Sequence, residues 1–332
     1  MEQVQSILRK SILNKDVDRL NIITYSTHER YQTGWQNLDM SFYLWQTEYA
    51  KPWKYSYAPL PKNHIMLNGK YGDHQLPYYV TPDLILSQNK LAHYQKSFEL
   101  SKKWNIPLVC LEHTLPMPSW PQYYIDNLNR MSGDLNIYIS EYSKERWGTE
   151  GIIIEHGVDH ELFSPNYQQK NNYVLSIVND WKNRDEPCGW TLWTQISGYP
   201  NKPNFPIKVV GDNPGLSIAP PTTQHLINEY NTASIFLNTS QYSPIPTVIL
   251  EAMSCGLPIV STNNCMIPEV ITHGEEGFLS NDINELRSYC IQLLKDQALR
   301  EEMGKKAREK IIQKFSMKKF EQSWNKVLRG VL

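Results

Sequence analysis

Apolar residues along this chain fall into short runs separated by longer, mixed segments. Continuous runs occur at 21–25 (NIITY), 83–87 (DLILS), 107–111 (PLVCL), 135–140 (LNIYIS) and 151–154 (GIII). A second series lies at 173–178 (YVLSIV), 207–211 (IKVVG), 234–237 (SIFL) and 257–261 (LPIVS). Runs this short, rich in β-branched residues and leucine, predict buried strands of a parallel sheet. Between them helices are predicted at 91–104, 141–147, 190–197 and 222–230, the second capped by Ser140, and 179–189 reads as a loop. The alternation of strand and helix predicts an α/β fold with sheets covered on both faces. Near the C-terminus, Met303, Ala307, Ile311 and Phe315 recur every four residues and predict a helix over 301–315, with a last helix after it carrying Trp324.

Punctuation is densest in 238–279. Pro244 and Pro246 precede an apolar run, and Pro246 suits a first helical position, where its missing N–H costs nothing. Thr247–Ser254 then reads as a short helix, with Gly256 as a left-handed cap. Pro268 opens another short helix carrying Glu269, and Gly274 and Gly277 mark the turn after it. A helix N-terminus behind a proline-rich loop presents free N–H groups and a positive dipole end, a setting for phosphate. Glu251 lies one turn beyond Thr247 on the same face, roughly 6 Å along the axis. A carboxylate there can accept hydrogen bonds from ribose hydroxyls. The same spacing also fits a buried helix with one solvated glutamate.

The chain has 332 residues, room for one large or two medium domains, and 40% hydrophobic content to fill their cores. No apolar run approaches the ~20 residues of a membrane span. The first residues lack a signal-peptide core and cleavage site, so a cytoplasmic protein is expected. Five scattered cysteines without a C-x-x-C indicate neither a disulfide framework nor a zinc knuckle. A net charge of −1 provides no global field for nucleic acid or membrane. Lys305, Lys306, Arg308, Lys310 and Lys314 surround the C-terminal apolar stripe. Such a face either is solvated or lies peripherally on anionic lipid at the inner membrane face. Residues 31–80 concentrate tyrosine and tryptophan, which stack on sugars or pack cores. No G-x-G-x-x-G comes after a strand, and there is no Walker loop or H-E-x-x-H. Asp16-Val17-Asp18 is a D-x-D that precedes the first strand and reads as polar surface.

The segment Glu251-Ala252-Met253-Ser254-Cys255-Gly256-Leu257-Pro258-Ile259-Val260 closely resembles the signature of family 4 of the retaining, nucleotide-sugar-dependent glycosyltransferases. Ile267-Pro268-Glu269-Val270-Ile271 and Gly274-Glu275-Glu276-Gly277-Phe278-Leu279 resemble the next two segments of that family. The family's first glutamate of the signature is replaced by Ser243. Glu155 to Asn166 (EHGVDHELFSPN) resembles the interdomain segment, with His156 where asparagine is usual. The resemblance is ordered from about residue 135 to the end and weak before that, apart from His113.

The resemblance implies GT-B architecture: two Rossmann-like domains facing across a cleft, at 1–158 and 159–315, with a helix at 316–332 returning to the N-terminal domain. It implies transfer of a sugar, with retention, from a UDP- or GDP-sugar held by the C-terminal domain. The acceptor side falls to the N-terminal domain, for a glycan or lipid-linked acceptor, and domain closure expels water from the sugar–phosphate bond. A DNA-base glycosyltransferase of the phage type and a non-catalytic GT-B binding protein are the alternatives. Neither a basic groove nor interleaved aromatics point to nucleic acid. His113, at a strand end, matches a histidine beside the donor sugar, and Glu251 the family's second signature glutamate. Lys182 and Arg184 stand where the family neutralises the diphosphate, together with the Thr247 helix end. Ser243 and Pro246 fall beside the donor sugar, and Gly211 and Asp212 form the strand-end turn beside the base. No metal or other cofactor is expected.

Overall fold

A computed structural model describes residues 19–48, 52–55, 57–166, 170–243 and 245–332. Asp16, Asp18 and Pro244 lie outside the described residues. The chain divides into two units, one running through Glu155 and resuming over Phe320–Leu332, the other spanning His156–Lys319.

The first unit is built on a parallel sheet of seven strands: β1 (Leu20–Thr24), β2 (Met40–Leu44), β3 (His64–Met66), β4 (Leu84–Ser87), β5 (Leu108–Glu112), β6 (Leu135–Tyr138) and β7 (Ile152–Ile153), in the order β3-β2-β1-β4-β5-β6-β7. The central strands β1, β4 and β5 are buried almost throughout, as a sheet covered on both faces requires. Its helices are α1 (Glu29–Gln32), α2 (Tyr94–Trp104), α3 (Gln122–Asn129) and α4 (Glu141–Trp147). The Ser140 Oγ accepts from the Ser143 N–H at 3.0 Å and caps α4 as the sequence predicts. Strands β2 and β3 lie inside the aromatic stretch, where no strand is predicted. That stretch divides sharply: Tyr31, Trp35, Tyr43, Trp45 and Trp53 are core, whereas Tyr55, Tyr71, Tyr78 and Tyr79 are exposed.

The second unit carries a parallel sheet of five strands, β8 (Val174–Ile177), β9 (Ile207–Val210), β10 (Ile235–Asn238), β11 (Ile259–Ser261) and β12 (Gly277–Leu279), in the order β12-β11-β10-β8-β9. Its helices are α5 (Asp185–Cys188), α6 (Trp190–Ser197), α7 (Thr223–Thr232), α8 (Thr247–Ser254), α9 (Ile267–Val270), α10 (Ile283–Lys295) and α11 (Gln297–Lys314). Helix α8 ends as predicted. Gly256 adopts φ 73°, its N–H donates to the Met253 carbonyl, and the Leu257 N–H donates to the Ala252 carbonyl. That pair of bonds satisfies carbonyls the helix would otherwise leave open. Pro246 sits one place earlier than predicted, at the cap flanking Thr247.

The stripe Met303, Ala307, Ile311 and Phe315 is buried. The cations around it form a mixed-charge face. Arg308 Nη1 donates to the Ser254 carbonyl at 2.6 Å, Lys310 pairs with Glu276 at 3.0 Å, and Lys306 pairs with Glu302 at 2.8 Å. The final helix, α12 (Met317–Gly330), belongs from Phe320 onward to the first unit. Its Phe320, Trp324 and Leu328, spaced by four, are buried, with Trp324 packed edge-on to Trp35 at 5.2 Å. Among the described residues no helix is long and apolar enough to cross a membrane.

Candidate functional site

In the second unit the first strand, β8, has β9 on one side and β10 on the other, so the strand order reverses between β8 and β10. Loops leaving the C-terminal ends of strands at such a reversal form a crevice for ligands. The predicted groups leave this one edge. Lys182 and Arg184 come after β8, Gly211 and Asp212 after β9, and Ser243, Pro246 and Thr247 after β10. Glu251 comes one turn later in α8.

The β8 loop is not the plain loop predicted. It forms a short 3-10 turn over Lys182–Arg184 and continues into α5. Both cations are exposed. The Lys182 ammonium lies over the Trp190 ring at 5.4 Å, and Arg184 Nη1 donates to the Asn179 carbonyl at 3.4 Å. Neither is paired with Asp185 or Glu186. The Asp185 carboxylate instead accepts from the Thr191 N–H at 2.7 Å and from its hydroxyl.

Hydrogen bonds lock these loops together. Asn213 Oδ1 accepts from the Trp181 N–H at 2.8 Å, while its Nδ2 donates to the Val178 carbonyl at 2.7 Å. The Asp212 N–H donates to Asn179 Oδ1 at 2.8 Å, and the Asp212 carbonyl accepts from the Asp180 N–H at 2.8 Å. The Gln241 and Tyr242 N–H groups both donate to the Pro187 carbonyl. Gly211 makes the close approach possible: at φ 127°, a Cβ there would stand 2.1 Å from the Val178 carbonyl oxygen. Thr239 Oγ1 donates to the Gly189 carbonyl at 3.0 Å, and Asn179, Asn213 and Thr239, which tie this edge together, carry no signal in the sequence beyond their place next to strand ends.

Glu251 is not the solvated glutamate that one sequence reading allows, being only 5% exposed. Its Oε2 accepts from the Tyr230 hydroxyl of α7 at 2.8 Å. The hydrophobic surroundings of α8 bury Glu251 with the helix, and Tyr230 supplies a donor for its buried carboxyl.

In the first unit, His113 comes directly after β5 and is buried. Its Nε2 lies 3.4 Å from Gln88 Oε1, with the His28 ring centroid at 4.4 Å and the Tyr31 ring edge-on at 4.7 Å. His28 comes after β1 and Gln88 after β4, so both belong to the same strand-end edge. His28 holds a left-handed backbone, φ 46°, uncommon for a residue other than glycine. Beside them Glu112 is buried, its Oε1 accepting from Thr114 and its Oε2 from the Lys90 N–H. Burial pushes its carboxyl above the usual range.

Residues 219–310 match the family model for glycosyl transferases group 1. Over those residues the chain is similar to the glycosyl transferases group 1 family. The match begins just before α7 and runs through α8 to α11, and so includes Tyr230, Thr247 and Glu251. N-acetyl-alpha-D-glucosaminyl L-malate synthase of Bacillus anthracis is 36% identical over 102 residues, 30% of this chain but only 27% of that relative's length. Among solved structures, sucrose-phosphate synthase from Thermosynechococcus elongatus superposes with a TM-score of 0.72 at 15% identity, covering 94% of this chain and 99% of that one. Anabaena HepE in complex with UDP and glucose superposes with a TM-score of 0.73 at 15% identity, covering 94% and 99%. The fold is GT-B, two α/β units on parallel sheets with the C-terminal helix packed on the first.

Proposed function

We propose that this protein transfers a sugar, with retention, from a nucleotide-sugar donor such as UDP-glucose. The reading rests on one observation: the loops after β8, β9 and β10 leave a single switch-point edge of the unit whose residues 219–310 match the group 1 model, with two cations unpaired by carboxylates among the described residues and a helix N-terminus beside them. Lys182, Arg184 and the first N–H groups of α8 would hold the diphosphate. Stabilising the leaving group in this way is worth roughly several kcal/mol. Ser243 and Pro246 would border the donor sugar, and Gly211 and Asp212 the base. A carboxylate accepts several hydrogen bonds, so Glu251 can take a ribose hydroxyl while it keeps Tyr230. His113 would serve the transferring sugar from the acceptor-side unit. UDP as the nucleotide is supported by the HepE complex, which holds UDP and glucose. A glycan or a lipid-linked sugar is the proposed acceptor.

A thermal-shift panel of UDP, GDP, ADP and their sugar conjugates tests this directly. UDP and UDP-glucose should raise Tm most, and no shift with any nucleotide would end the reading. One observation favours a second reading, of a donor-binding protein without turnover: Ser243 stands where the family has a glutamate. Nucleotide binding without release of UDP from UDP-glucose, in the presence of candidate acceptors, would select it.

A further inference from the structure

The five-stranded sheet has another edge, at the N-terminal ends of its strands, away from the loops described above. Ser234 immediately precedes β10 there, and Gly256 precedes β11. Lys170, Ser234, Gly256, Gln297, Arg300 and Glu301 line a cavity of about 290 Å³. One water needs only ~10–15 Å³ of such space, so the cavity has room for a small molecule.

Several of the polar groups around it keep donors in reserve. Among the described residues the Lys170 ammonium makes one hydrogen bond, to the Tyr230 carbonyl at 3.3 Å. Arg300 Nη1 donates to the carbonyls of Leu293 and Leu294, at the end of α10, at 2.7 and 3.3 Å. Its Nε and Nη2 have no partner, and neither cation is in an ion pair, among the described residues. Burial, and further the Arg300 charge, bring the Lys170 ammonium down to about 8. Two cations thus line one cavity. The Ser234 hydroxyl, in a residue 1% exposed, also has no partner. Helix α11 begins at Gln297, and its end is capped by the Asp296 carboxylate, which accepts from the Leu299 N–H at 3.0 Å. The one carboxylate lining the cavity, on Glu301, accepts from Gln297 Nε2 at 2.7 Å.

We propose that this cavity binds the phosphate group of a small, soluble phosphomonoester, at a site separate from the nucleotide edge. Lys170 and Arg300 supply the charge, and Ser234 supplies a hydroxyl donor that otherwise goes unused. Phosphate oxygens match the guanidinium fork and accept from ammonium and hydroxyl alike. The Glu301 carboxylate disfavours a second phosphate, which selects a monoester over a diphosphate.

The test is calorimetric titration of inorganic phosphate and of glycerol 3-phosphate into the full chain carrying Lys182→Ala and Arg184→Ala. That background strips the nucleotide edge of its two cations, and the Lys170, Arg300 and Ser234 variants made within it report on the cavity alone, so failure here and failure of the transferase reading are distinguishable. One-to-one binding is expected, weakened at least tenfold by Lys170→Gln and by Arg300→Gln and several-fold by Ser234→Ala. Arg300 also holds the end of α10, so if Arg300→Gln does not fold, Lys170→Gln and Ser234→Ala carry the test. Absence of binding in the background protein would overturn the proposal, as would unchanged affinity in Lys170→Gln and Ser234→Ala. Sedimentation with phosphatidic acid vesicles, lost in Lys170→Gln while glycerol 3-phosphate fails to bind, would also overturn it in favour of a lipid headgroup.

Discussion

At Glu251 one carboxylate satisfies the Tyr230 hydroxyl within the second unit and, in the function proposed above, has the further task of taking a ribose hydroxyl. Glu251→Gln keeps the shape and one acceptor, so the Tyr230 bond has a replacement and Tm should fall by only a few degrees. The charge-assisted bond to ribose has no replacement. Such bonds contribute about 1.5–3 kcal/mol, so UDP affinity should fall about tenfold or more. Calorimetry and melting on the same sample separate the two tasks. Lower stability with unchanged affinity would make Glu251 purely a partner for Tyr230. Ser243 has a different consequence. In the proposed site Ser243 borders the donor sugar, where a short neutral side chain in place of the family's glutamate leaves room and removes a charge. Ser243→Glu should therefore reorder donor preference among UDP-sugars while leaving affinity for free UDP within about twofold. An unchanged ranking would place this residue away from the sugar.

At the scale of elements, the edge depends on how closely the β9 loop approaches the β8 loop. Gly211→Ala would set a Cβ against the Val178 carbonyl and strain a φ of 127°. The loops must then separate, breaking the Asp212 and Asn213 bonds to Asn179 and Val178. We expect a loss of about 2–4 kcal/mol in stability, read from denaturant unfolding, and weaker nucleotide binding. Wild-type stability would show that the loops are not so tightly coupled. Helix α8 is legible in the sequence because its signals are local: Pro246 before it, an apolar run within it, and Gly256 after it. The capped helix α4 and helix α6 are legible for the same reason. Strands β2 and β3 are not, because in residues 31–80 the aromatic side chains of strand, core and surface look alike. Helices α3 and α10 also escape the sequence reading. The Tyr230–Glu251 bond joins residues on two helices, and no spacing rule reaches it. His113 stands out by resemblance alone, and its neighbours His28 and Gln88 come together only when β1, β4 and β5 align.

For the whole molecule, two buried histidines of the first unit set a pH limit. Burial holds His64 down to about 3, and burial with the neighbouring His28 holds His93 down to about 4. His64 Nε2 and His93 Nδ1 have no partner to favour a proton. Between those values and the ordinary 6.5, the unfolded chain binds protons that the folded chain does not. Stability therefore rises with pH across this window, is full above about 6.5, and is lost as pH falls toward 4 and 3. Melting temperature should drop between pH 7 and 4.5, and His93→Phe, which keeps the stack on Tyr25, should flatten the drop. An identical slope in His93→Phe and His64→Leu would assign acid sensitivity to other groups.

The central claim is that the switch-point edge of the second unit holds a nucleoside diphosphate through Lys182, Arg184 and the start of α8. Calorimetric titration of UDP, in EDTA, into wild type and into Lys182→Ala and Arg184→Ala tests it most directly. Both side chains are exposed, so neither variant should melt more than a few degrees below wild type. The account predicts one-to-one binding of UDP to wild type without metal, and at least tenfold weaker binding to each variant. Equal affinity in wild type and both variants, or no UDP binding at all, would contradict it.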